Sequence, residues 1–281
     1  MQLGICVRDC PTDEVERLSR FAEDNAFSHL FLPEATQLQA DGRLSGRSPW
    51  VSLAASFGAT TSLRAGVGVA ALPFWSLPHP AATAATLHEL SGGRFVLGVG
   101  ASHREATTKL GASFPNSPLG YTRAALRQLA ERPTVNGWGF PVLVGALGPK
   151  MVALGCREAD GVVLNWLTPE HAAASVAAAR AAAQDAGRSP LVVLYVRLAR
   201  PEALLADAVA YDQMRNYRQH FLGQGLAAPE AVAAGTCLRW DDPGRAREQL
   251  SRYAEAGVDV VCLYPHGLDA AEREKALAAL A

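Results

Sequence analysis

Short apolar runs of four to eight residues alternate along this chain with amphipathic stretches of ten to twenty, and no other feature constrains the fold as strongly. Such alternation pairs each strand with a helix and lays the strands parallel. The strand-like runs cover residues 3–7, 29–32, 65–69, 95–99, 142–144, 161–164, 192–198 and 258–263. Helical patterns cover residues 12–26, 49–61, 80–90, 118–131, 149–157 and 169–186, several opening on a proline in the first turn, where its missing N–H costs nothing. A longer, more polar stretch over residues 201–235 precedes a helix at 241–256, ended by Gly257, and a last helix at 269–281. Eight strands with intervening helices predict an α/β fold, a (β/α)8 TIM barrel with an insertion before the last strand. An open doubly wound sheet is the alternative, but no glycine fingerprint of the GxGxxG type follows the first strand.

With 281 residues, 49% of them hydrophobic, the chain can bury one large core as a single domain over residues 1–281. The 26 basic and 27 acidic residues are interspersed to a net charge of -1, which leaves no electrostatic footprint for nucleic acid or an anionic membrane. No apolar run approaches the roughly 20 residues of a membrane span, and the first ten residues lack the order of a signal peptide, so a cytoplasmic location is expected. Cys6, Cys10, Cys156, Cys237 and Cys262 are scattered without a CxxC pair, which predicts reduced, buried thiols and no metal site. The alanine-rich run at 172–183 has the content of a strong helix and carries no function. The segments at 37–48 and 211–229 are longer than ordinary barrel connections and read as lids or active-site walls, or else as packed surface excursions.

A barrel of this kind builds its active site at the C-terminal ends of its strands. Four places qualify: Pro33-Glu34, the stretch Ala70 to Trp75, the stretch Gly100-Ala101-Ser102-His103-Arg104, and the turn Gly145-Ala146-Leu147-Gly148-Pro149-Lys150. The last leads straight into a helix, so free backbone N–H groups and the helix dipole converge on one point; that makes a phosphate site, although glycine suits any tight turn as well. His103 could donate or take a proton, or be an ordinary solvated loop histidine. Glu34 could hydrogen-bond a ligand or cap its loop. His29, placed at the opposite end of the barrel, and His88, His171 and His220, in helical stretches, read as structural or surface residues.

Recognisable segments accumulate in order: FLPE at 31–34, TTSLRAGVGV at 60–69, ELSGGRFVLGVG at 89–100, LVGALGPKM at 143–151 and ADGV at 159–162. Together they resemble the bacterial luciferase-like flavin and deazaflavin oxidoreductases, and the FLPE and GVGASH blocks resemble an actinobacterial subgroup of coenzyme F420-dependent oxidoreductases. The likeness runs to about Trp166 and is faint beyond it. The resemblance implies a cofactor lying across the strand ends, with a non-proline cis peptide at Gly68-Val69 behind its ring. It implies that Gly145, Ala146, Leu147, Gly148 and Pro149 hold the cofactor phosphate and that Gly100, Ala101 and Ser102 follow its tail. Glu34 matches an acidic position at the ring edge or substrate. His103 falls where sugar-phosphate-oxidising members carry an acid. Ala35 stands where those members keep a catalytic histidine, so their reaction is not carried over.

The resemblance implies hydride transfer between coenzyme F420 and a small organic substrate, with His103 as proton donor or acceptor and Glu34 orienting substrate or ring. Trp75, Trp166 and Arg197 are expected to line the pocket, or, for the tryptophans, to pack the core. An FMN-dependent monooxygenase is the first alternative and a non-catalytic cofactor-binding barrel the second. A homodimer is implied by the resemblance alone.

Overall fold

The computed structural model describes residues 1–39, 41–131 and 139–281. Eight strands form a closed parallel ring: β1 (Gln2–Cys6), β2 (His29–Leu32), β3 (Arg64–Ala71), β4 (Phe95–Gly100), β5 (Val142–Gly145), β6 (Gly161–Asn165), β7 (Leu191–Ala199) and β8 (Val260–His266). Each pairs with the next in sequence, and β8 closes the ring on β1 with Gln2 opposite Val260 and Ile5 opposite Leu263. The architecture is therefore the (β/α)8 barrel that the alternation predicts. Strand ends follow the ladders rather than the apolar runs. β8 starts two residues later than its apolar run and continues through Tyr264, Pro265 and His266, because β7 extends to Ala199 and pairs with it there.

The strands are buried on both faces, yet their residues still alternate between two cores. Cys6, Phe31, Val193, Tyr195, Val260 and Cys262 point into the barrel, while Ile5, Leu30, Val192, Leu194, Val261 and Leu263 face the helical layer. That layer includes α1 (Thr12–Asp24), α2 (Pro49–Ala59) and α3 (Pro78–Leu90). Each fully buried Leu or Phe in it contributes about 1.5–3 kcal/mol relative to exposure. The GGRF segment serves this scaffold. Gly92 and Gly93 take positive φ to end α3, and the Arg94 guanidinium donates to the carbonyls of Phe57, Thr60, Leu63 and Ser91, tying the end of α2 to the start of β3.

Further round the ring lie α4 (Arg104–Lys109), α5 (Pro118–Glu131), α6 (Pro149–Glu158) and α7 (Pro169–Gln184). The polar stretch between β7 and β8 folds into three helices, α8 (Pro201–Asp212), α9 (Arg215–Gly223) and α10 (Pro229–Thr236), followed by Leu238–Arg239 pairing with the end of β7. Leu204, Ala208, Tyr217, Phe221 and Val232 from these helices form an apolar cluster with Trp166 and Ala199, which seats the insertion over the ends of β6 and β7. The segment at 37–48 holds a small antiparallel ladder of Gln37–Leu38 with Leu44–Ser45; its residue 40 lies outside the described residues. Helices α11 (Pro243–Glu255) and α12 (Ala270–Ala278) complete the chain, α12 opening on an Asp269/Glu272 capping box. All five cysteines are buried, free thiols. Among the described residues no helix is long and apolar enough to cross a membrane, and no His, Cys, Asp and Glu cluster of three or more is arranged to hold a metal.

Candidate active site

The C-terminal mouth of the barrel has two unlike halves. At the ends of β3, β4 and β5 the surface is made of glycines around one valine. The Gly68–Val69 peptide is cis, and the β3–β4 register shifts between Val67 and Ala70. Tyr195 Oη, rising from inside the barrel, donates to the Gly68 carbonyl at 3.1 Å. The half-buried Val69 side chain lies against the bare Cα positions of its neighbours: a Cβ on Gly98 or Gly100 would stand 3.0 Å from its methyls, and one on Gly145 3.3 Å. Larger residues there would displace Val69, so these strand ends present a flat, apolar floor.

Beside that floor runs the turn from Gly145 to Pro149. The Ala146 N–H is used by the Val163 carbonyl, but the Leu147 and Gly148 N–H groups have no partner among the described residues, and the first turn of α6 follows directly. Free donors at a helix N-terminus attract an anion. On the next strand end, Ser102 adopts φ 64° and turns the chain so that Gly100, Ala101 and Ser102 stay at the mouth while His103 leads into α4. Burial holds His103 below the usual imidazole range, so its ring is neutral near pH 7. Its Nδ1 is buried without a partner, and the ring stands 5.3 Å from that of Tyr217.

Glu34 is already engaged by the protein. Its Oε1 accepts from Trp50 Nε1 at 2.8 Å, and its Oε2 from the Ala71 N–H at 2.7 Å and Trp75 Nε1 at 2.9 Å. Burial pushes this carboxyl above its ordinary range while the three donors pull the other way. The carboxylate thus binds α2 to the loop leaving β3 and sets Trp75 at the rim, where it is 37% exposed.

The other half, over β6, β7 and β8, is packed. The structure places Trp166 and Arg197, each 1% exposed, within a buried cluster and not on an open wall. The Arg197 guanidinium stacks 3.8 Å from the Trp166 ring and also faces Tyr211 and Tyr264, with Asp207 3.5 Å from Nε. Arg197 Nη1 donates to Asn165 Oδ1, and Asn165 Nδ2 donates to Tyr217 Oη at 3.3 Å. His220 Nε2 lies within hydrogen-bond distance of the Asn165 and Trp166 carbonyls, a structural role. His29, at the opposite end of β2, is buried, stacked on Phe31 and bonded to Ser28.

Reading the sequence for site residues misses Asn165, Tyr195, Tyr211 and Tyr217. Asn165 had a visible signal: it is the polar residue that ends the apolar run of β6. Tyr195 had none, being one more large residue in a core strand. Tyr211 and Tyr217 fall in the segment expected to form a lid or wall.

The luciferase-like monooxygenase family model matches residues 4–260. The 5,10-methylenetetrahydromethanopterin reductase of Archaeoglobus fulgidus is 31% identical over 191 residues, 60% of this chain and 54% of the relative; the chain thus spans little more than half of that protein. An F420-dependent secondary alcohol dehydrogenase, solved with an F420-acetone adduct, superposes with a TM-score of 0.80 at 15% identity, covering 100% of this chain and 99% of its own. The oxygenating constituent of 3,6-diketocamphane monooxygenase from Pseudomonas putida, solved with FMN, superposes at 0.70 and 15% identity, covering 100% and 96%. At such identities these two likenesses speak for the fold.

Proposed function

The chain belongs to the luciferase-like monooxygenase family, and from that membership we propose that it is an oxidoreductase transferring hydride between bound coenzyme F420 and a small organic substrate. The observation that carries the reading is the juxtaposition, at one barrel mouth, of the Val69 floor with the N–H groups of Leu147 and Gly148, which have no partner among the described residues. A planar tricyclic ring needs an apolar backing, and a phosphorylated tail needs donors a short distance away; the strand ends offer both. When bound, the deazaflavin supplies the hydride chemistry. Val69 and Gly68 back the ring, Gly100, Ala101 and Ser102 follow the tail, and the turn from Gly145 to Pro149 receives the phosphate. His103, kept neutral by burial, accepts or returns the substrate proton at the mouth. Glu34 acts indirectly by holding Trp75 at the rim.

The FMN-dependent monooxygenase is the second reading, favoured by the likeness to a solved FMN-bound monooxygenase. Fluorescence titration of the purified protein with F420 and with FMN separates the two. Tight binding of F420 with FMN at least about tenfold weaker, a difference of about 1.4 kcal/mol, is expected. The reverse order would favour the monooxygenase, and binding of neither would overturn both. Assembly as a homodimer forms part of the proposal and is checked by light scattering.

A further inference from the structure

Strand β6 ends in a residue whose two polar ends are treated differently. Asn165 Oδ1 accepts a hydrogen bond from the Arg197 guanidinium. Reversing the carboxamide would turn its NH2 group towards that cation and leave buried donors facing one another, so the amide has one stable orientation. Arg197 cannot follow the amide elsewhere, since it is sandwiched by Trp166, Tyr211 and Tyr264 and countered by Asp207. The NH2 group therefore points away from Arg197, with one hydrogen on Tyr217 Oη at 3.3 Å. The Asn165 carbonyl is occupied by His220. The second N–H of the carboxamide has no partner among the described residues; it belongs to a half-buried residue, while Arg197, Trp166 and Tyr217 around it are buried. The same Tyr217 ring stands 5.3 Å from His103. The Asn165 carboxamide and the His103 imidazole thus both meet one aromatic ring, that of Tyr217.

We propose that Asn165 is a substrate-binding residue whose Arg197-locked carboxamide donates a hydrogen bond to the oxygen of a neutral carbonyl or hydroxyl substrate next to His103. This rests on the oxidoreductase reading and names its substrate class. The charge of Arg197 is already spent on Asp207 and three aromatic faces, so the group that reaches the mouth is a neutral donor, matched to a ketone, aldehyde or alcohol oxygen more than to a carboxylate or phosphate.

The test uses F420-loaded protein and isobutyramide, an unreactive amide whose oxygen imitates a carbonyl, with affinity measured by calorimetry. Asn165→Asp keeps the size and the Arg197 contact but replaces the donor with an acceptor. Isobutyramide affinity should fall by about tenfold or more, as loss of a hydrogen bond to a buried partner implies, with F420 affinity held within about twofold. Asn165→Ala should give the same loss if the Asp variant folds poorly, and Tyr217→Phe, which frees the other amide hydrogen, should keep isobutyramide binding within about threefold of the wild type. Isobutyramide binding unchanged in both Asn165 variants, or absent from an F420-loaded wild type, overturns the assignment while leaving the oxidoreductase reading in place. A wild type that fails to bind F420 overturns that reading, and the assignment with it.

Discussion

Replacing Glu34 distinguishes an anchor from a group that works on the ligand. In the folded protein its carboxylate satisfies two donors that have no other recourse, the indole N–H of Trp50, 5% exposed, and the backbone N–H of Ala71, 7% exposed. In Glu34→Ala both lose their acceptor where water does not reach. Each buried unsatisfied donor costs about 1–3 kcal/mol, so the pair loses roughly 2–6 kcal/mol. Trp75, at 37% exposed, recovers a bond from solvent and adds little. For a chain of this size each kcal/mol moves the melting temperature by roughly 2–4 °C, which predicts a fall of roughly 4–24 °C for Glu34→Ala. Glu34→Gln, which keeps one acceptor oxygen but turns an NH2 towards donors, should fall between. Calorimetric melts with parallel F420 titrations read the outcome: affinity should weaken together with stability, because Trp75 and the loop leaving β3 lose their tether. If Glu34→Ala melted within about 2 °C of the wild type while turnover collapsed, the donors would have other partners and the anchoring argument would fail.

Two further perturbations follow from the interior. Burial lowers the His29 pKa to about 4, so as pH falls from about 7 the unfolded chain takes up a proton near 6.5 while the folded one refuses it; stability present above that pH is lost towards pH 4, by about 3 kcal/mol. The difference in unfolding free energy between wild type and His29→Leu should therefore shrink or reverse between pH 7 and 4 in urea titrations, and a constant difference would refute the assignment. A Cβ at Gly68 would stand 2.0 Å from Tyr195 Oη, so Gly68→Ala should destabilise by at least the 1–3 kcal/mol or so of an overpacked core. Adding Tyr195→Phe should recover part of that loss, and strict additivity in the double-mutant cycle would show that the two groups do not meet.

The barrel was legible because its strands and helices differ in period, and the glycine-lined half of the mouth because glycines at strand ends are visible in the sequence as glycines. The other half was not. Residues 201–235 hide three helices, because Leu204, Ala208, Tyr217, Phe221 and Val232 share one small cluster among three short segments and no single segment shows a long apolar stripe. Glu34 was legible as a loop carboxylate, but its partners Trp50, Ala71 and Trp75 come from elements that only the closed ring brings to it. A histidine in a polar loop such as His103 is more often just solvated; Tyr217, far along the chain, packs beside its ring instead.

That division has a functional consequence. On the proposed reading the cofactor is met by backbone and by Val69, features fixed by the barrel itself, whereas the substrate is met by Asn165 and by the aromatic cluster that α8 and α9 press onto β6 and β7. Ring binding and substrate choice then rest on different parts of the chain. Tyr211 meets Trp166, Tyr217 and Arg197, and Arg197 also stacks on Trp166, whereas Val69 packs against the cluster inside the barrel. Changes in α8 and α9 reach the turn at Gly145 through Leu147, which packs against their cluster. In this chain the two halves meet where the His103 ring lies 5.3 Å from that of Tyr217 and where Leu147 packs on the aromatic cluster.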